Sequence, residues 1–239
     1  MNQRTLRKLH RWLGLIAGIQ LLAWTLSGLY FTLIPIDDIH GDHLLNRDAP
    51  EPPQLAATSI LSPSDIASRQ STLAVASLTD VQLTLTGETP VYVIDHQRFS
   101  AITGAPLPLL TEDEARAVVS ARSDATILAI DLIESVAIDS EYRGGPLPAW
   151  RITTDLEDAA IYVDATTGRL RAVRTNSWRL FDFLWSLHIM DYDEREDFNH
   201  WLIKLLAILS LVTVLSGLTL FFMTQRWQRR KPAAETSTL

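Results

Sequence analysis

Two long apolar segments enclose a mainly polar middle in this chain of 239 residues. They cover residues 12–36 and 201–223. Each has at least the roughly 20 residues that a helix needs to cross a bilayer. The pattern therefore predicts two transmembrane helices, with the whole segment between them on one side of the membrane.

Within that middle segment one pattern of polar and apolar positions occurs twice. Each copy begins with a candidate helix N-cap, Ser62 or Thr111, followed by acidic residues in the first turn. Strands with period-two alternation follow, at 89–95 in the first copy and at 149–154 and 160–164 in the second. Two such units predict antiparallel sheets with helices on one face.

The second copy closes on an Asp-x-x-Thr-Gly segment, which predicts a tight hairpin turn with Gly168 at positive φ. The predicted fold class is therefore an α+β membrane protein, in which two antiparallel transmembrane helices bracket a domain of two helix-plus-antiparallel-sheet units. The predicted divisions are a basic tail (1–11), the first transmembrane helix (12–36), a linker (37–60), the first unit (61–109), the second unit (110–175), an aromatic and acidic return segment (176–200), the second transmembrane helix (201–223) and a tail (224–239).

Charge sets the predicted orientation. Basic residues flank the outer ends of both apolar segments: Arg4, Arg7, Lys8 and Arg11 before the first, and Arg226, Arg229, Arg230 and Lys231 after the second. The positive-inside rule then predicts that both termini are cytoplasmic. Residues 37–200 are expected in the periplasm of a Gram-negative bacterium, and the first segment is expected to be an uncleaved signal anchor, because no A-x-A-like site follows it.

Residues 35–200 hold 12 Arg, no Lys and 27 Asp or Glu, a net charge of −15. Such a domain repels nucleic acid, so no nucleic-acid partner is expected. The chain has no cysteine, which excludes disulfides and covalent C-x-x-C-H haem attachment. His96 is the only histidine between residues 44 and 187, and no H-E-x-x-H motif is present, so no catalytic residue is predicted.

The order of several short motifs resembles the PepSY domain with its associated transmembrane helices. The motifs are Tyr-Val-Asp-Ala-Thr-Thr-Gly at 162–168, His-Arg-Trp-Leu-Gly at 10–14, Leu-Ser-Gly at 26–28, Ser-Leu-His at 186–188, Asn-His-Trp at 199–201 and Leu-Ser-Gly-Leu at 215–218. The resemblance covers nearly the whole chain. It implies an inner-membrane protein, related to proteins linked to ferric-siderophore reduction that are larger, usually have four spans and bind intramembrane haem through histidines.

The resemblance thus implies a haem-binding electron-transfer component, or an accessory subunit, for periplasmic reduction of ferric iron or siderophores. Haem b would be held non-covalently by imidazoles. No flavin or nicotinamide fingerprint is present, so the electron donor would be another protein or membrane quinol. The alternative is a non-enzymatic, membrane-tethered module that binds or regulates a periplasmic partner such as a protease, since soluble PepSY domains have been proposed as protease inhibitors.

The candidate cofactor ligands are His10 at one end of the first helix and His188 and His200 near the start of the second. A span of about 23 residues is roughly 35 Å long, so His10 cannot share an iron with the others within one chain. A lane of glycines could face haem or pack helices: Gly14, Gly18, Gly28 and Gly217. Two copies would supply four helices, so a homodimer or a larger membrane redox complex is expected, with the lipid bilayer as the common partner.

Overall fold

A computed structural model of the chain describes residues 3–46, 60–70, 80–87 and 89–228. Most of the predicted linker lies outside the described residues, and so do Arg229, Arg230 and Lys231. A 3₁₀ turn covers Asp42–Leu44. The other elements, in chain order, are α1 (Gln3–Leu33), α2 (Ile36–Ile39), α3 (Pro63–Arg69), β1 (Val81–Thr86), β2 (Thr89–Ile94), β3 (Gln97–Ser100), β4 (Pro106–Leu107), α4 (Glu112–Ser120), β5 (Ile127–Ile133), β6 (Ala149–Thr154), β7 (Ala160–Asp164), β8 (Leu170–Arg174), α5 (Asn176–Ile189) and α6 (Trp201–Gln228).

The chain forms two compact units. The spanning unit comprises Met1–Leu33 and Asp182–Leu239, and the domain unit comprises Ile34–Phe181. Two helices of the spanning unit are long and apolar enough to cross a membrane, over Arg4–Leu33 and Trp201–Gln225. They pack antiparallel, and large apolar side chains on their outer faces are more than half exposed, as lipid contact requires.

The first spanning helix differs from the predicted segment at both ends. It begins at Gln3, because the basic residues before the apolar run continue the helix. It ends at Leu33, short of the predicted end at residue 36. Pro35 explains this end, since proline has no N–H to donate and disfavours helical geometry in the residue before it.

The domain unit contains two four-stranded antiparallel sheets, ordered β1-β2-β3-β4 and β5-β6-β7-β8. In the first of the two predicted helix-plus-sheet units (61–109), Ile66 of α3 packs with Ile94 and Phe99 of the sheet. In the second, Val119 of α4 packs with a cluster that includes Ile161 of β7. The predicted α+β class, with antiparallel sheets between two membrane-spanning helices, is confirmed.

The first unit (61–109) and the second unit (110–175) of the domain repeat each other down to single hydrogen bonds. The N–H of Leu61 donates to the carbonyl of Ala101 at 2.8 Å, and Leu110 donates to Ala165 at the same distance. Both turns end in a glycine at positive φ: Gly104 at +75°, and Gly168 at +70° as predicted. The repeat in sequence is thus a repeat in structure.

Capping boxes begin the helices of both units, as the sequence pattern indicates. In α4 the hydroxyl of Thr111 accepts the N–H of Glu114 at 3.3 Å, and the Glu114 carboxylate accepts the N–H of Thr111 at 2.7 Å.

Thr111→Ala is expected to lower the unfolding free energy by about 1 kcal/mol, because an N–H in the first turn loses its acceptor. Urea unfolding of the full chain in detergent measures this. Thr111→Ser keeps the acceptor, and a Ser variant as unstable as the Ala variant would contradict the assignment.

The segment between β5 and β6 folds back onto the second sheet. Tyr142 stacks on Tyr162 with ring centroids 4.3 Å apart. The Tyr162 hydroxyl donates to the Glu141 carboxylate at 2.8 Å. Burial, together with this carboxylate, raises the pKa of Tyr162 to about 12. The segment between β5 and β6 is therefore a packed part of the second unit.

A helix that the sequence analysis did not predict occupies the return segment. α5 covers Asn176–Ile189, and its first turn is capped by Thr175, whose hydroxyl accepts the N–H of Trp178 at 3.1 Å. The threonine before a mainly apolar run was the available signal for this helix. α5 matters because it carries His188.

Candidate functional site

The spanning unit buries small and polar side chains at its helix contacts. On α1, Ala17 and Ser27 are 0% and 1% exposed. On α6, Ser210 and Thr213 are 7% and 8% exposed. Small residues allow helix backbones to approach closely in a bilayer. The same packing brings hydroxyl groups within reach of the histidines.

His10 packs against α6 near the amino end of α1. Its Nδ1 lies 2.7 Å from the hydroxyl oxygen of Ser216. The next residue, Gly217, lies under the ring: a Cβ placed there would be 3.0 Å from the imidazole Cε1. Glycine at this position therefore lets the imidazole lie against the backbone of α6.

His188 lies near the end of α5, where α1 supplies its partners. Its Nδ1 is 2.7 Å from the hydroxyl oxygen of Ser27, and its carbonyl accepts the indole N–H of Trp24 at 2.7 Å. The rings of Trp24, Phe31 and Trp185 surround it, with centroids 5.6 to 6.4 Å away. Burial lowers the pKa of His188, which favours the neutral imidazole at pH 7.

The two imidazoles occupy opposite ends of the spanning unit. Ser27, which contacts His188, follows His10 by 17 residues on α1. At 1.5 Å per residue this is a separation of about 25 Å along the helix. His10 and His188 of one chain therefore cannot coordinate the same iron.

His200, the third predicted ligand, has a different environment. Its Nε2 donates to the carbonyl oxygen of Ile189 at 2.8 Å, across the acidic loop that separates α5 from α6. The same loop is held by an ion pair between Arg195 and Asp182 and by the indole N–H of Trp185, which donates to the carbonyl of Arg195 at 3.1 Å. His200 thus uses Nε2 to fix the loop.

The predicted glycine lane does not form one continuous face. Gly14 faces α6, where a Cβ would be 3.8 Å from Thr213, and Gly217 faces His10. Gly18 and Gly28 have no atom within 4 Å of such a Cβ. Spacing by four drifts around a helix of 3.6 residues per turn, whereas the spacing by seven from His10 to Ala17 stays on the buried face. Within the described residues, only Gly14 and Gly217 contact the opposite helix, and whether Gly18 and Gly28 face haem or a second copy stays a prediction.

Two polar atoms between the spans have no hydrogen-bond partner among the described residues. They are the amide nitrogen of Gln20 and the hydroxyl of Ser210. The described part of the chain therefore supplies no hydrogen-bond partner for the amide nitrogen of Gln20. Ser210 provides a useful comparison for the serines that contact histidines.

The domain unit contains other polar groups beside its second sheet. His43 pairs with Glu157 at 3.0 Å. A cavity of about 350 Å³ lies against β8, lined by a run of that strand together with His40, Asp42 and Leu45. No group of three or more His, Cys, Asp or Glu side chains in the described ranges could hold a metal ion.

Sequence reasoning identified the histidines but missed their partners. Ser27 and Ser216 were noted only as parts of two Leu-Ser-Gly motifs. The available signal was that this tripeptide occurs once on each spanning helix, toward the end of that helix where a histidine of another helix is expected. Their roles were not predicted because the pairings join residues 161 and 206 positions apart.

Comparison with known proteins gave one finding. A family model described as "PepSY-associated TM region" matches residues 7–238, which is nearly the whole chain. No curated protein matched the chain. No solved structure matched it either.

Proposed function

This chain belongs to the family of PepSY-associated TM regions, and we propose that it is a haem-binding electron-transfer component of the bacterial inner membrane. Its membership and its two apolar helices make it a membrane protein. The proposed role is to deliver electrons toward periplasmic ferric iron or a ferric siderophore, directly or as an accessory subunit of a reductase.

One observation carries this proposal: two half-buried imidazoles, His10 and His188, are each held through Nδ1. Neither Nε2 has a hydrogen-bond partner among the described residues. Metal-bound histidines have this arrangement, since one nitrogen is anchored by a neighbouring group and the other coordinates. The donor set therefore fits a haem b that His10 would hold at one end of the spanning unit and His188 at the other.

Bound haem would supply one-electron chemistry at each end of the membrane. The protein's own residues perform the other tasks. Ser216 and Ser27 orient the two rings, Gly217 allows close approach to the backbone, and the aromatic rings around His188 exclude water. His200 is the weaker candidate, because its Nε2 already donates to a carbonyl.

The proposed orientation follows from charge. Basic side chains flank the outer ends of both spans and acidic ones their inner ends, so the termini are assigned to the cytoplasm and residues 37–200 to the periplasm. His10 then lies on the cytoplasmic side and His188 on the periplasmic side. Electrons would come from a membrane quinol or a partner protein, and each would reduce one Fe³⁺ to Fe²⁺.

A second copy of the chain, or another membrane subunit, is proposed to complete each haem site. Among the described residues, one chain offers one imidazole with an unpartnered Nε2 at each end of the spanning unit, and a haem held by two imidazoles would need the second from another chain. The open face at Gly18 leaves room for a second α1.

The chain has no native cysteine, so Gly18→Cys is expected to crosslink in membranes, while Gly14→Cys, which faces α6, is not. A monomer in mild detergent without a Gly18→Cys crosslink would refute the homodimer.

The test of haem binding is a visible spectrum of the purified protein, oxidised and dithionite-reduced, from cells supplied with a haem precursor. We expect a Soret band and a reduced α-band. His10→Ala and His188→Ala should each remove part of this absorbance, and the double variant should remove all of it, because each imidazole supplies a separate site.

His96→Asn is the matched control. His96 lies in the β2–β3 turn at φ +63°, a conformation that asparagine tolerates, so its variant should keep the full spectrum. A colourless wild-type protein, or a double variant with an unchanged spectrum, would refute the electron carrier.

The second candidate function is a tethered binding module, which the cavity beside β8 favours. β8 is an edge strand of its sheet, and edge strands can pair with an extended peptide. In this case the variant lacking both His10 and His188 would retain its function, and partner capture would depend on Arg171 and His40, which line the cavity.

A further inference from the structure

Two serines each contact at least one backbone carbonyl oxygen and a histidine nitrogen, and the single hydroxyl proton cannot serve both kinds of contact. The hydroxyl of Ser27 lies 2.8 Å from the carbonyl oxygen of Ala23, 3.2 Å from that of Trp24 and 2.7 Å from Nδ1 of His188. The hydroxyl of Ser216 lies 2.8 Å from the carbonyl oxygen of Thr213 and 2.7 Å from Nδ1 of His10. The same pattern thus occurs at both ends of the spanning unit.

A carbonyl oxygen can only accept a hydrogen bond, so the histidine contact and the carbonyl contact of each serine are hydrogen bonds together only when the serine donates its single proton to the carbonyl. The serine oxygen is then left as an acceptor toward the histidine. An acceptor 2.7 Å from Nδ1 requires that Nδ1 carries the ring proton. In a neutral imidazole the proton cannot also be on Nε2, which therefore keeps its lone pair.

We propose that Ser27 and Ser216 are positioning residues that fix His188 and His10 in the Nδ1–H tautomer, with the Nε2 lone pair directed to a ligand. This inference rests on the proposed function for the identity of that ligand, a haem iron. The tautomer itself depends only on the serine geometry. Each serine is followed by a glycine, and at 217 that glycine makes room for the ring.

The direct readout is ¹⁵N NMR of selectively labelled histidine in the haem-free, full-length protein in detergent. Spectra are recorded at alkaline pH and assigned with His10→Ala and His188→Ala. Both histidines are expected to show a protonated Nδ1 and an unprotonated Nε2. Loss of one serine should change the tautomer of its own partner and leave the other histidine unaffected.

Three variants separate positioning from packing. Ser27→Ala should introduce the Nε2–H form of His188 only, and Ser216→Ala should do the same for His10 only. Ser210→Ala is the matched control, because this buried serine lies on the same helix contacts and its hydroxyl has no partner among the described residues. Its spectrum should match wild type at both histidines.

Haem titration supplies a second readout. Ser27→Ala and Ser216→Ala should each weaken haem affinity roughly 10- to 100-fold, the usual cost of removing a group that orients a metal ligand, whereas Ser210→Ala should not. An Nε2–H tautomer in wild type, or variants that leave the tautomers unchanged, would overturn the positioning role. Correct tautomers in a wild-type protein that takes up no haem would refute the proposed function and leave the serine assignment intact.

Discussion

Gly41→Ala is expected to lower the unfolding free energy by roughly 2–4 kcal/mol, because two separate penalties coincide at this residue. Gly41 has φ +72°, a left-handed conformation that disfavours any side chain. A Cβ there would also lie 2.7 Å from Cγ1 of Val173, a buried residue of β8. The 3₁₀ turn that follows Gly41 is thereby held against the sheet edge that lines the cavity.

Two other glycines separate the penalties. Gly87 has a similar φ of +59°, but no atom of the described residues lies within 4 Å of a Cβ, so Gly87→Ala should cost about 1 kcal/mol for the backbone alone. Gly18 has neither feature in the described chain, so Gly18→Ala should be near neutral. Urea unfolding of the full chain in detergent, followed by near-ultraviolet circular dichroism, compares the three. Equal losses at Gly41 and Gly87 would show that the Val173 contact contributes nothing.

Local patterns predicted those parts of the fold that depend on neighbouring residues. Apolar length indicated the two spans, and the N-cap residues Ser62 and Thr111 marked the starts of both domain helices. The Thr-Gly pair at 167–168 indicated the positive φ of its turn. Each of these features is determined by residues that are close together in the chain, which is why the sequence alone was enough.

The strands β1, β3, β4, β5 and β8 were not predicted, and all of them except β3 are edge strands. β5 carries the almost continuous apolar run Ile-Leu-Ala-Ile-Asp-Leu-Ile, which fits a strand or a helix equally well. Its identity comes from pairing with β6, whose partners lie about 16 to 27 residues later in the chain. Edge strands have one neighbour and weak burial, so their local signal is small.

The candidate site was predictable only in part for the same reason. His10 and His188 were selected by residue type and position, but Ser27 and Ser216 became partners through packing between distant helices. Whether both histidines bind haem stays a prediction. Gly18 and Gly28 do not contact α6 in the described chain, because a spacing of four drifts around a helix with 3.6 residues per turn, and their part in facing haem or another copy stays a prediction.

Asp164→Asn is expected to destabilise the domain unit by about 2–3 kcal/mol near neutral pH. One oxygen of Asp164 accepts the N–H groups of Thr166 and Thr167 at 2.8 and 3.0 Å. The other accepts two N–H groups of Arg171, the shorter contact being 2.6 Å. Asparagine can keep the turn contacts, but it places an amide without charge beside a guanidinium in a mostly buried position.

The stability difference should depend on pH in a defined direction. Burial opposes ionisation of Asp164, but hydrogen bonds from Arg171, Thr167 and Thr166 outweigh it and hold the pKa below its ordinary value. In the unfolded chain an aspartic carboxyl has a pKa of about 4. The ionised group therefore stabilises the fold above that pH, and this contribution is lost as pH falls through the lower pKa of the folded state.

Ser100 is the control that isolates charge from turn geometry. It occupies the position of Asp164 in the first unit, where its hydroxyl accepts the N–H of Thr103 at 3.2 Å without an ionic partner. Ser100→Ala should cost about 1 kcal/mol at every pH, since no titrating group is removed. The loss in Asp164→Asn should instead shrink toward acid pH in urea unfolding of the full chain. A loss that did not change with pH would mean that the turn, and not the pair with Arg171, makes the contribution of Asp164.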